Sequence, residues 1–485
     1  MIQKSTKIIA TLGPASDSKE TIKKLYKAGM NIARLNFSHG DHNYFRKLIK
    51  NIRAVSNEIA ILLDTKGPEI RSGEVEGGQI ELFDGQKLKL TSKKILGNKE
   101  IITINYTKLN KLEIGNTILI DDGLIEAKII AKEEDYLISK VINGGMLGSK
   151  KTVSIRGHNV EIPFFSKKDK EDILFGIENK FDFIAASFVR TPQEVMEIKK
   201  FLKKNGGEDI MLISKIEHAE SVTNINEIIY ESKGIMVARG DLGVEIPLEE
   251  VPMIQKKIIK RCNELGIPVI VATQMLESMK ENPRPTRAEV GDVATAILDG
   301  TDAIMLSGET ASGKYPVKAV KAMTTIAKEY DSKVETIISD DFHTEKYLEK
   351  NSTSMFVTKA AYLASQILNV SAIITPTESG FTPRKVSRFK PKCPIIAFVS
   401  DKRKMRQLQI TWGVIALYEE TKYNTLDAMV NAVISKSYAL NLIKINEKVV
   451  ITAGHKLSRK GLTNIMEIFK VKCILERMNE KEPSC

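Results

Sequence analysis

The sequence predicts an α/β protein: a (β/α)8 barrel that carries an inserted small all-β barrel domain and is followed by an open α/β domain. Three observations support this prediction. Short apolar runs alternate with amphipathic helical patterns in two parts of the chain, a helix-free region separates those parts, and a polar stretch precedes a second α/β pattern. The predicted limits are 1–68 and 164–335 for the barrel, 69–163 for the insert and 336–485 for the C-terminal domain.

The predicted barrel strands are eight runs that are each continuously apolar over four or five residues, which is typical of strands buried on both faces. In chain order they are TKIIATLG, NIARLNFS, IAILLDT, FDFIAASF, IMLISKIE, GIMVARGD, PVIVATQ and AIMLSGE. Helical patterns separate most of them. One is SKETIKKLYKAG, where Asp17 and Glu20 have the spacing of a capping box and Gly29 marks the end. Eight strands with helices between them favour a closed barrel.

The insert and the C-terminal domain have different patterns. The insert contains alternating strands such as GQIELFDGQKLKLTS, separated by Asp-Gly and Gly-Gly turns that are typical of hairpins. The C-terminal region has four predicted strands with helices between them, SAIIT, PIIAFVS, GVIALY and EKVVITAG, which together indicate an open α/β sheet.

Composition excludes several classes of protein. The net charge of the 485 residues is +12, but lysines are spread over the outer faces of predicted helices and form no stripe interleaved with aromatics, so we expect no nucleic-acid partner. Four cysteines lie far apart without metal-ligand spacing, which favours a reducing, cytoplasmic location. No apolar run is long enough to span a bilayer, so we expect no membrane partner.

Charged residues at the carboxyl ends of the predicted strands form the candidate active site, because functional groups of such barrels lie there. They are Arg34, Asp64, Lys215, Glu217, Arg239 and Asp241. Glu217 and Asp241 end neighbouring strands and could both bind one hard divalent cation. Arg34 and Lys215 would then hold an anionic substrate against it, which suits phosphoryl transfer. The competing interpretation is a structural ion pair of the carboxylates with Lys215 or Arg239.

Several long motifs carry a resemblance to a known family. NIARLNFSHG, LLDTKGPEIR, ISKIEHAES, IMVARGDLGVEIP, VIVATQMLESM and PRPTRAEVGDVATAILDGTDAIMLSGETASGKYP resemble pyruvate kinase, and the match extends over essentially the whole chain. The resemblance implies an enzyme that transfers the phosphoryl group of phosphoenolpyruvate to ADP, giving pyruvate and ATP in the last step of glycolysis. It also implies a homotetramer, with Mg2+ (or Mn2+) and K+ as cofactors.

The resemblance assigns roles at the barrel mouth. Arg34 would bind the phosphate of phosphoenolpyruvate, and Lys215 would stabilise the phosphoryl group during transfer. Glu217 and Asp241 would bind Mg2+ or Mn2+. The backbone of Gly240 would bind the carboxylate of the substrate, and Asp241 would contact the substrate through the cation.

Further roles follow from the same resemblance. Thr273 would contact the substrate and assist protonation of the enolate. The implied K+ ligands are Asn36, Ser38, Asp64 and Thr65. Arg71 and Lys151, with Asn36 nearby, would bind ADP or ATP under the insert, which would act as a lid. Glu69 adds a prediction of K+ dependence, since a glutamate at this position accompanies that dependence in the family.

The segment TPTESGFTPRKVSRFKPK, residues 375–392, resembles the family's effector loop. Hydroxyls and backbone N–H groups at a helix start can form a phosphate cradle. The candidate residues are Thr377, Ser379, Gly380, Thr382 and Arg384, and the expected ligand is a sugar phosphate or nucleotide effector. The basic segment GHKLSRKGLTN could close over the same ligand. The alternative is an ordinary polar connection.

Two departures from the family pattern and two alternative functions are visible. The insert ends in KTVSIRGHN where an Asn-Leu-Pro-Gly run is common, and Gly291 and Thr295 stand where serine and asparagine are usual.

One alternative function is that of a lyase or mutase that acts on phosphoenolpyruvate or pyruvate enolate, which would not need the insert. The other is a P-loop protein, suggested by GETASGKYP, but Tyr315 replaces the required Ser or Thr.

Overall fold

The computed structural model describes residues 4–158, 160, 162–334, 352–421, 423–454 and 463–479. The first part of the barrel consists of β1 (Lys7–Thr11), α1 (Lys19–Ala28), β2 (Ile32–Asn36), α2 (His42–Val55) and β3 (Ala60–Asp64). The predicted capping residue of α1 was wrong. Ser18, not Asp17, accepts the N–H of Thr21, because its side chain is the one that reaches the third residue of the helix. Gly29 ends α1 with a φ of 122°.

The insert leaves the barrel after β3 and contains only strands and short 3₁₀ turns among its described residues. The strands are β4 (Gln79–Leu82), β5 (Lys87–Thr91), β6 (Ile101–Thr103), β7 (Thr117–Ile120), β8 (Ile125–Lys132), β9 (Leu137–Asn143), β10 (Gly145–Gly148) and β11 (Val153–Arg156). They form a six-stranded sheet in the order β11-β7-β8-β9-β5-β6 and a two-stranded sheet of β10 and β4. Both sheets enclose one apolar core, which includes Ile80, Leu88 and Ile118.

The chain then completes the barrel. The remaining elements are α3 (Lys167–Glu178), β12 (Phe183–Ala186), α4 (Pro192–Lys204), β13 (Met211–Ile216), α5 (Ala219–Thr223), α6 (Ile225–Glu231), β14 (Gly234–Ala238), α7 (Arg239–Glu245), α8 (Val251–Leu265), β15 (Val269–Ala272), α9 (Arg287–Leu298), β16 (Ala303–Leu306), α10 (Gly308–Ala311) and α11 (Pro316–Tyr330). The closed order β1-β16-β15-β14-β13-β12-β3-β2 confirms all eight predicted strands and the (β/α)8 barrel.

The C-terminal part is an open α/β sheet, as predicted. Its elements are α12 (Thr353–Ile367), β17 (Ala372–Pro376), α13 (Phe381–Ser387), β18 (Ile395–Val399), α14 (Lys402–Gln407), β19 (Val414–Tyr418), α15 (Leu426–Ala439), β20 (Lys448–Ala453), β21 (Ile465–Lys470) and α16 (Val471–Asn479). The strand order is β19-β18-β17-β20-β21. The antiparallel edge strand β21 was not predicted, because its half-exposed residues show no clear apolar run.

The helices and the cysteines bear on the expectations about membrane spans and about a reducing location. Among the helices that the structure describes, none is both long enough and apolar enough to cross a bilayer. Cys262 and Cys393 carry free thiols, whereas Cys473 is disulfide-bonded, so the expectation of reduced cysteines is not met at that position.

The C-terminal part packs on the amino-terminal face of the barrel through buried ion pairs. Asp302 directly precedes β16, and its Oδ1 lies 2.9 Å from Lys390 Nζ and 3.2 Å from the N–H of Trp412. Asp182 directly precedes β12 and lies 2.7 Å from Arg406 Nε. These contacts fix the C-terminal part on the face opposite to the carboxyl ends of the strands.

We expect Asp302→Asn to destabilise the protein by about 3 kcal/mol, because Lys390 would remain buried without its counter-charge. The change should appear as a lower midpoint of urea unfolding. Asp209→Asn is the matched control at the same interface: Asp209 is mostly exposed and lies 3.8 Å from Lys404, so its loss should cost less than about 1 kcal/mol. Equal midpoints for the two variants would contradict this account of the interface.

Candidate active site

The predicted site residues meet at the mouth of the barrel. Arg34 lies in β2 and Asp64 ends β3, while Lys215 lies near the end of β13. Glu217, Asp241 and Thr273 follow the ends of β13, β14 and β15. Because all eight strands are parallel, their carboxyl ends open on one face, and the sequence prediction that these groups converge is consistent with the contacts below.

A buried chain of charges crosses this mouth. Arg34 Nε lies 2.7 Å from Asp64 Oδ2, and Lys215 Nζ lies 3.1 Å from Asp64 Oδ1 and 2.8 Å from Glu217 Oε1. Lys215 Nζ also donates to Ser187 Oγ at 2.8 Å. Ser187 stands at a strand end, but no role was predicted for it. The two cations therefore have fixed positions on either side of Asp64.

The charges set each other's protonation states. Burial alone would raise the pKa of Asp64, but the charges of Lys215 and Arg34 lower it. Burial opposes the charge on Lys215, yet Asp64 and Glu217 raise its pKa above the usual range. Lys215 is therefore a permanent cation, suited to stabilising negative charge and unsuited to accepting a proton.

Glu217 and Asp241 form a coupled pair of buried carboxyls. Burial raises the pKa of Glu217 to about 7, and the charge of Asp241 adds to that increase while Lys215 opposes it. Burial likewise raises the pKa of Asp241. Glu217 Oε2 accepts the N–H of Phe188 at 2.6 Å. Glu217 Oε1 is buried near Lys215 Nζ but not in an orientation that forms a hydrogen bond.

This pair fits a divalent cation, which prefers oxygen ligands and would offset the repulsion between the carboxylates. Within the described ranges no cluster of three or more His, Cys, Asp or Glu could hold a metal. The chain therefore offers two carboxylates, and the other ligands would come from substrate or water. The competing interpretation holds only in part: Lys215 does pair with Glu217, but Arg239 pairs with Asp292 at 2.7 Å.

Thr273 has a strained backbone that Arg239 supports. The φ angles of Thr273 and Gln274 are 69° and 53°, which side chains rarely adopt, and such strain is common at functional sites. Arg239 Nη2 donates to the carbonyls of both residues, at 2.9 and 3.0 Å. Thr273 Oγ1 accepts the N–H of Gly240 at 2.7 Å. Arg239 thus holds the segment that brings Thr273 to Gly240, a role that its position in the sequence did not indicate.

The predicted nucleotide residues Arg71 and Lys151 lie in the insert, Arg71 near its start and Lys151 just before β11. Arg71 Nη2 lies 2.7 Å from Glu69 Oε2, and Lys151 Nζ lies 2.9 Å from Asp121 Oδ2. The N–H of Ser72 donates to the carbonyl of Lys151 at 2.8 Å, which brings the two basic residues onto adjacent segments. The structure therefore brings Arg71 and Lys151 together, with both side chains paired to carboxylates of the insert.

A cleft of about 810 Å³, part of it open to solvent, lies between the insert and the barrel. The insert contributes Glu69, Thr152 and Ser154 to its lining, and the barrel contributes Phe188 and Asp241. Clefts at domain interfaces are frequent positions of small-molecule sites.

The predicted K+ ligands lie at the ends of β2 and β3. Asn36 and Asp64 are register partners in these strands, and Asn36 Oδ1 accepts the N–H of Ser38 at 3.1 Å. Thr65 Oγ1 accepts the N–H of Ser187 at 3.1 Å. Both carboxylate oxygens of Asp64 already face the basic side chains described above.

The candidate effector residues lie between β17 and α13. Thr377 Oγ1 accepts the N–H of Gly380 at 3.1 Å, and Ser379 Oγ accepts the N–H of Phe381 at 3.3 Å. Arg384 Nη2 donates to the carbonyl of Ser379 at 3.0 Å, and Thr382 contacts Thr463 at 2.6 Å. Most of the basic segment GHKLSRKGLTN, 455–462, lies outside the described residues.

The two departures in α9 are tolerated structurally. Gly291 and Thr295 are exposed, and Thr295 Oγ1 donates to the carbonyl of Gly291 at 2.9 Å. A Cβ added at Gly291 would meet no atom within 4 Å, so the usual serine would also fit.

A closed parallel barrel with fixed cations, coupled carboxylates and an inserted β domain at its mouth defines a phosphotransferase of the (β/α)8 class. The family model described as "Pyruvate kinase, barrel domain" matches residues 3–320, and "Pyruvate kinase, alpha/beta domain" matches residues 356–469. The chain belongs to the pyruvate kinase family.

Relatives and a solved structure agree with this assignment. A pyruvate kinase from Geobacillus stearothermophilus is 46% identical over 484 residues, which cover 98% of this chain and 82% of the relative. One from Clostridium acetobutylicum is 45% identical over 470 residues, which cover 96% of this chain and 98% of the relative. A crystal structure of a pyruvate kinase from Cryptosporidium parvum matches with a TM-score of 0.88 and 37% identity, covering 96% of each chain.

The activity is therefore transfer of the phosphoryl group from phosphoenolpyruvate to ADP, giving pyruvate and ATP in glycolysis, with dependence on metal. The predicted family and enzyme class are confirmed. A lyase or mutase acting on the same enolate is not favoured. The P-loop alternative is also disfavoured, because Lys314 is an exposed residue paired with Glu281.

We expect Asp241→Asn to raise the thermal unfolding midpoint in metal-free buffer at pH 7. The raised pKa means that the folded state disfavours the charged carboxylate, so removing the charge relieves that cost. Asp292→Asn is the opposite-sign control, because it breaks the 2.7 Å pair with Arg239 and should lower the midpoint. Calorimetry in the presence of a chelator measures the unfolding midpoints of both variants. A lower midpoint for Asp241→Asn would refute the argument that the buried charge of Asp241 destabilises the folded state.

Proposed function

We propose that Arg34 and Lys215 hold the phosphoryl group of phosphoenolpyruvate and that Glu217 and Asp241 bind Mg2+ (or Mn2+) beside it. The observation that carries the proposal is the buried contact chain from Arg34 through Asp64 and Lys215 to Glu217. When bound, the divalent cation would neutralise charge on the enolate and phosphoryl oxygens. Lys215 serves transfer as a fixed positive charge, since its neighbours keep it protonated.

Gly240 and Thr273 act on the rest of the substrate. The N–H of Gly240 would exchange its hydrogen bond with Thr273 for one with the substrate carboxylate. The Thr273 hydroxyl, which now donates to the carbonyl of Ala272 at 2.6 Å, would orient the proton donor for the methylene carbon, through an ordered water. Arg239 keeps Thr273 in place through the backbone contacts described above.

Arg71 and Lys151, with Asn36 nearby, bind ADP in the cleft between the insert and the barrel. The insert, 69–163, acts as a lid on the barrel, 1–68 and 164–335. Closure of the lid excludes water, so that ADP and not hydrolysis captures the phosphoryl group. The hydrogen bond between the segments that carry the two basic residues supports this assignment.

Asn36, Ser38, Asp64 and Thr65 bind K+ at the ends of β2 and β3, where these residues lie together. Glu69 supports the requirement because, unlike a lysine at this position, it supplies no positive charge of its own; its carboxylate lies 2.7 Å from Arg71 Nη2 and 3.7 Å from Lys66 Nζ.

The C-terminal domain, 336–485, carries regulation. A sugar phosphate or nucleotide binds the loop of Thr377, Ser379, Gly380, Thr382 and Arg384, and a panel of such effectors in the activity assay tests this. The chain forms a homotetramer with α9 at an interface, which the exposed Gly291 and Thr295 support and analytical ultracentrifugation tests. The place of the family in glycolysis supports a cytoplasmic location, which cell fractionation tests.

We expect Lys215→Met to lower kcat by a factor of about 10³, because the transition state loses its fixed charge. A coupled assay with phosphoenolpyruvate, ADP and Mg2+ measures pyruvate formation. Lys314→Ala, a lysine on the exposed surface, is the control and should retain full activity. If Lys215→Met remained active and folded, the assignment of the phosphoryl site would be wrong.

We expect the enzyme to lose most of its activity when K+ is replaced by tetramethylammonium at equal ionic strength, since the large ion cannot enter a site of oxygen ligands. Titrating K+ back should restore turnover with a saturable dependence. Robust activity in tetramethylammonium buffer without K+ would overturn the prediction made from Glu69.

A further inference from the structure

Arg156 reaches from the insert to the barrel. It is the last residue of β11 and belongs to the Ser-Ile-Arg-Gly run that departs from the family pattern. Its Nε donates to the carbonyl of Val244 at 2.6 Å, and its Nη2 donates to the carbonyls of Ile246 and Gly243 at 3.3 and 3.4 Å. One guanidinium therefore binds three carbonyls at the end of α7.

These carbonyls are a suitable partner for an arginine. The last carbonyls of a helix have no partner within the helix, and the helix dipole favours a cation there. The planar guanidinium presents several N–H groups in fixed directions, which a lysine cannot do. The contact is thus specific to the side chain that this sequence places at position 156.

A second residue of β11 supports the same contact. Ser154 lies two residues before Arg156, on the same face of the strand, and lines the same cleft as Glu245 of α7. Glu245 Oε2 also lies 3.3 Å from His218 Nε2. Two side chains on one face of the strand therefore lie near the last turn of α7, and Arg156 supplies the hydrogen bonds between the strand and the helix.

The helix that receives these contacts also belongs to the active site. The first turn of α7 carries Gly240 and Asp241, and its last turn carries the carbonyls that bind Arg156. Lys151 lies five residues before Arg156, a distance of roughly 16 Å along extended chain. Arg156 therefore connects the segment that follows the nucleotide lysine to the helix that holds the substrate and metal residues.

The connection that follows β11 is held separately, from the barrel side. Arg190 Nη1 donates to the carbonyl of Val160 at 2.7 Å and its guanidinium also pairs with Glu194 at 2.6 Å. Arg156 and Arg190 therefore hold the insert at two separate places: Arg156 fastens β11 to α7, and Arg190 holds the return connection at Val160.

We propose that Arg156 is a positioning residue for phosphoryl transfer to ADP: it fastens β11 to α7 and so places Arg71 and Lys151 over Gly240 and Asp241. The inference rests on the proposed binding of ADP beneath the insert. Enolate chemistry at the barrel mouth needs no such alignment. Loss of Arg156 therefore weakens the ADP-dependent step and spares the ADP-independent one.

The test compares two reactions in Arg156→Ala, Arg156→Lys and the wild type. Turnover at varied ADP gives KM and kcat. Exchange of the methyl protons of pyruvate with D2O, followed by NMR with Mg2+, K+ and inorganic phosphate, reports enolate formation without ADP. We expect Arg156→Ala to raise KM for ADP about tenfold and to lower kcat severalfold, with proton exchange within about twofold of wild type. Arg156→Lys should be intermediate.

Lys140→Ala, an exposed lysine on β9 of the same insert, is the matched control and should leave both reactions unchanged. An unchanged KM for ADP in folded Arg156→Ala, or an equal loss of turnover and proton exchange, overturns the inference. If Arg156→Ala does not fold, Arg156→Lys and Ser154→Ala provide the same comparison.

The variant Lys151→Met distinguishes a failure of this inference from a failure of the proposed ADP site. If Lys151→Met raises KM for ADP and the Arg156 variants do not, only the positioning role is wrong. If Lys151→Met also leaves KM for ADP unchanged, the proposed nucleotide site is wrong.

Discussion

The arrangement of the barrel mouth depends on Asp64, a fully buried carboxylate between two cations. Arg34 approaches one of its oxygens at 2.7 Å and Lys215 approaches the other at 3.1 Å. Burying a lone carboxylate is costly, and so is burying a lone cation, but the three groups together satisfy each other. Because Asp64 ends a strand that pairs with β2 and β12, its position is fixed by the barrel, and the barrel in turn fixes both cations.

At the neighbouring carboxylates, the cost of burial outweighs the compensation by nearby charges. Glu217 and Asp241 are buried beside each other, and burial raises the pKa of both carboxyls, while the charge of Asp241 adds to the increase at Glu217. Thr273 and Gln274, which follow the neighbouring strand β15, add backbone strain. Stability is thus reduced where a cation and substrate would bind, while the rest of the barrel, with its apolar strands, keeps the site rigid.

Sequence reasoning succeeded where a feature is local or periodic. Eight apolar runs predicted eight strands, and the rule that functional groups lie at strand ends selected Arg34, Asp64 and Lys215. It failed where two segments compete or meet. Ser18 rather than Asp17 caps α1, and the half-exposed edge strand β21 carries no apolar signal. Ser187 and Arg239 stand at strand ends like the predicted residues, but only their contacts reveal what they hold.

By itself the sequence determined the order of strands and helices, the helix-free insert and the residue types at the barrel mouth, because these depend on hydrophobic period and on residues near one another in the chain. Only the tertiary structure decided which charges touch. Arg239 pairs with Asp292 and not with Asp241, and Arg156 crosses to α7, because closure of the barrel and docking of the insert bring together groups that are 53 and about 90 residues apart.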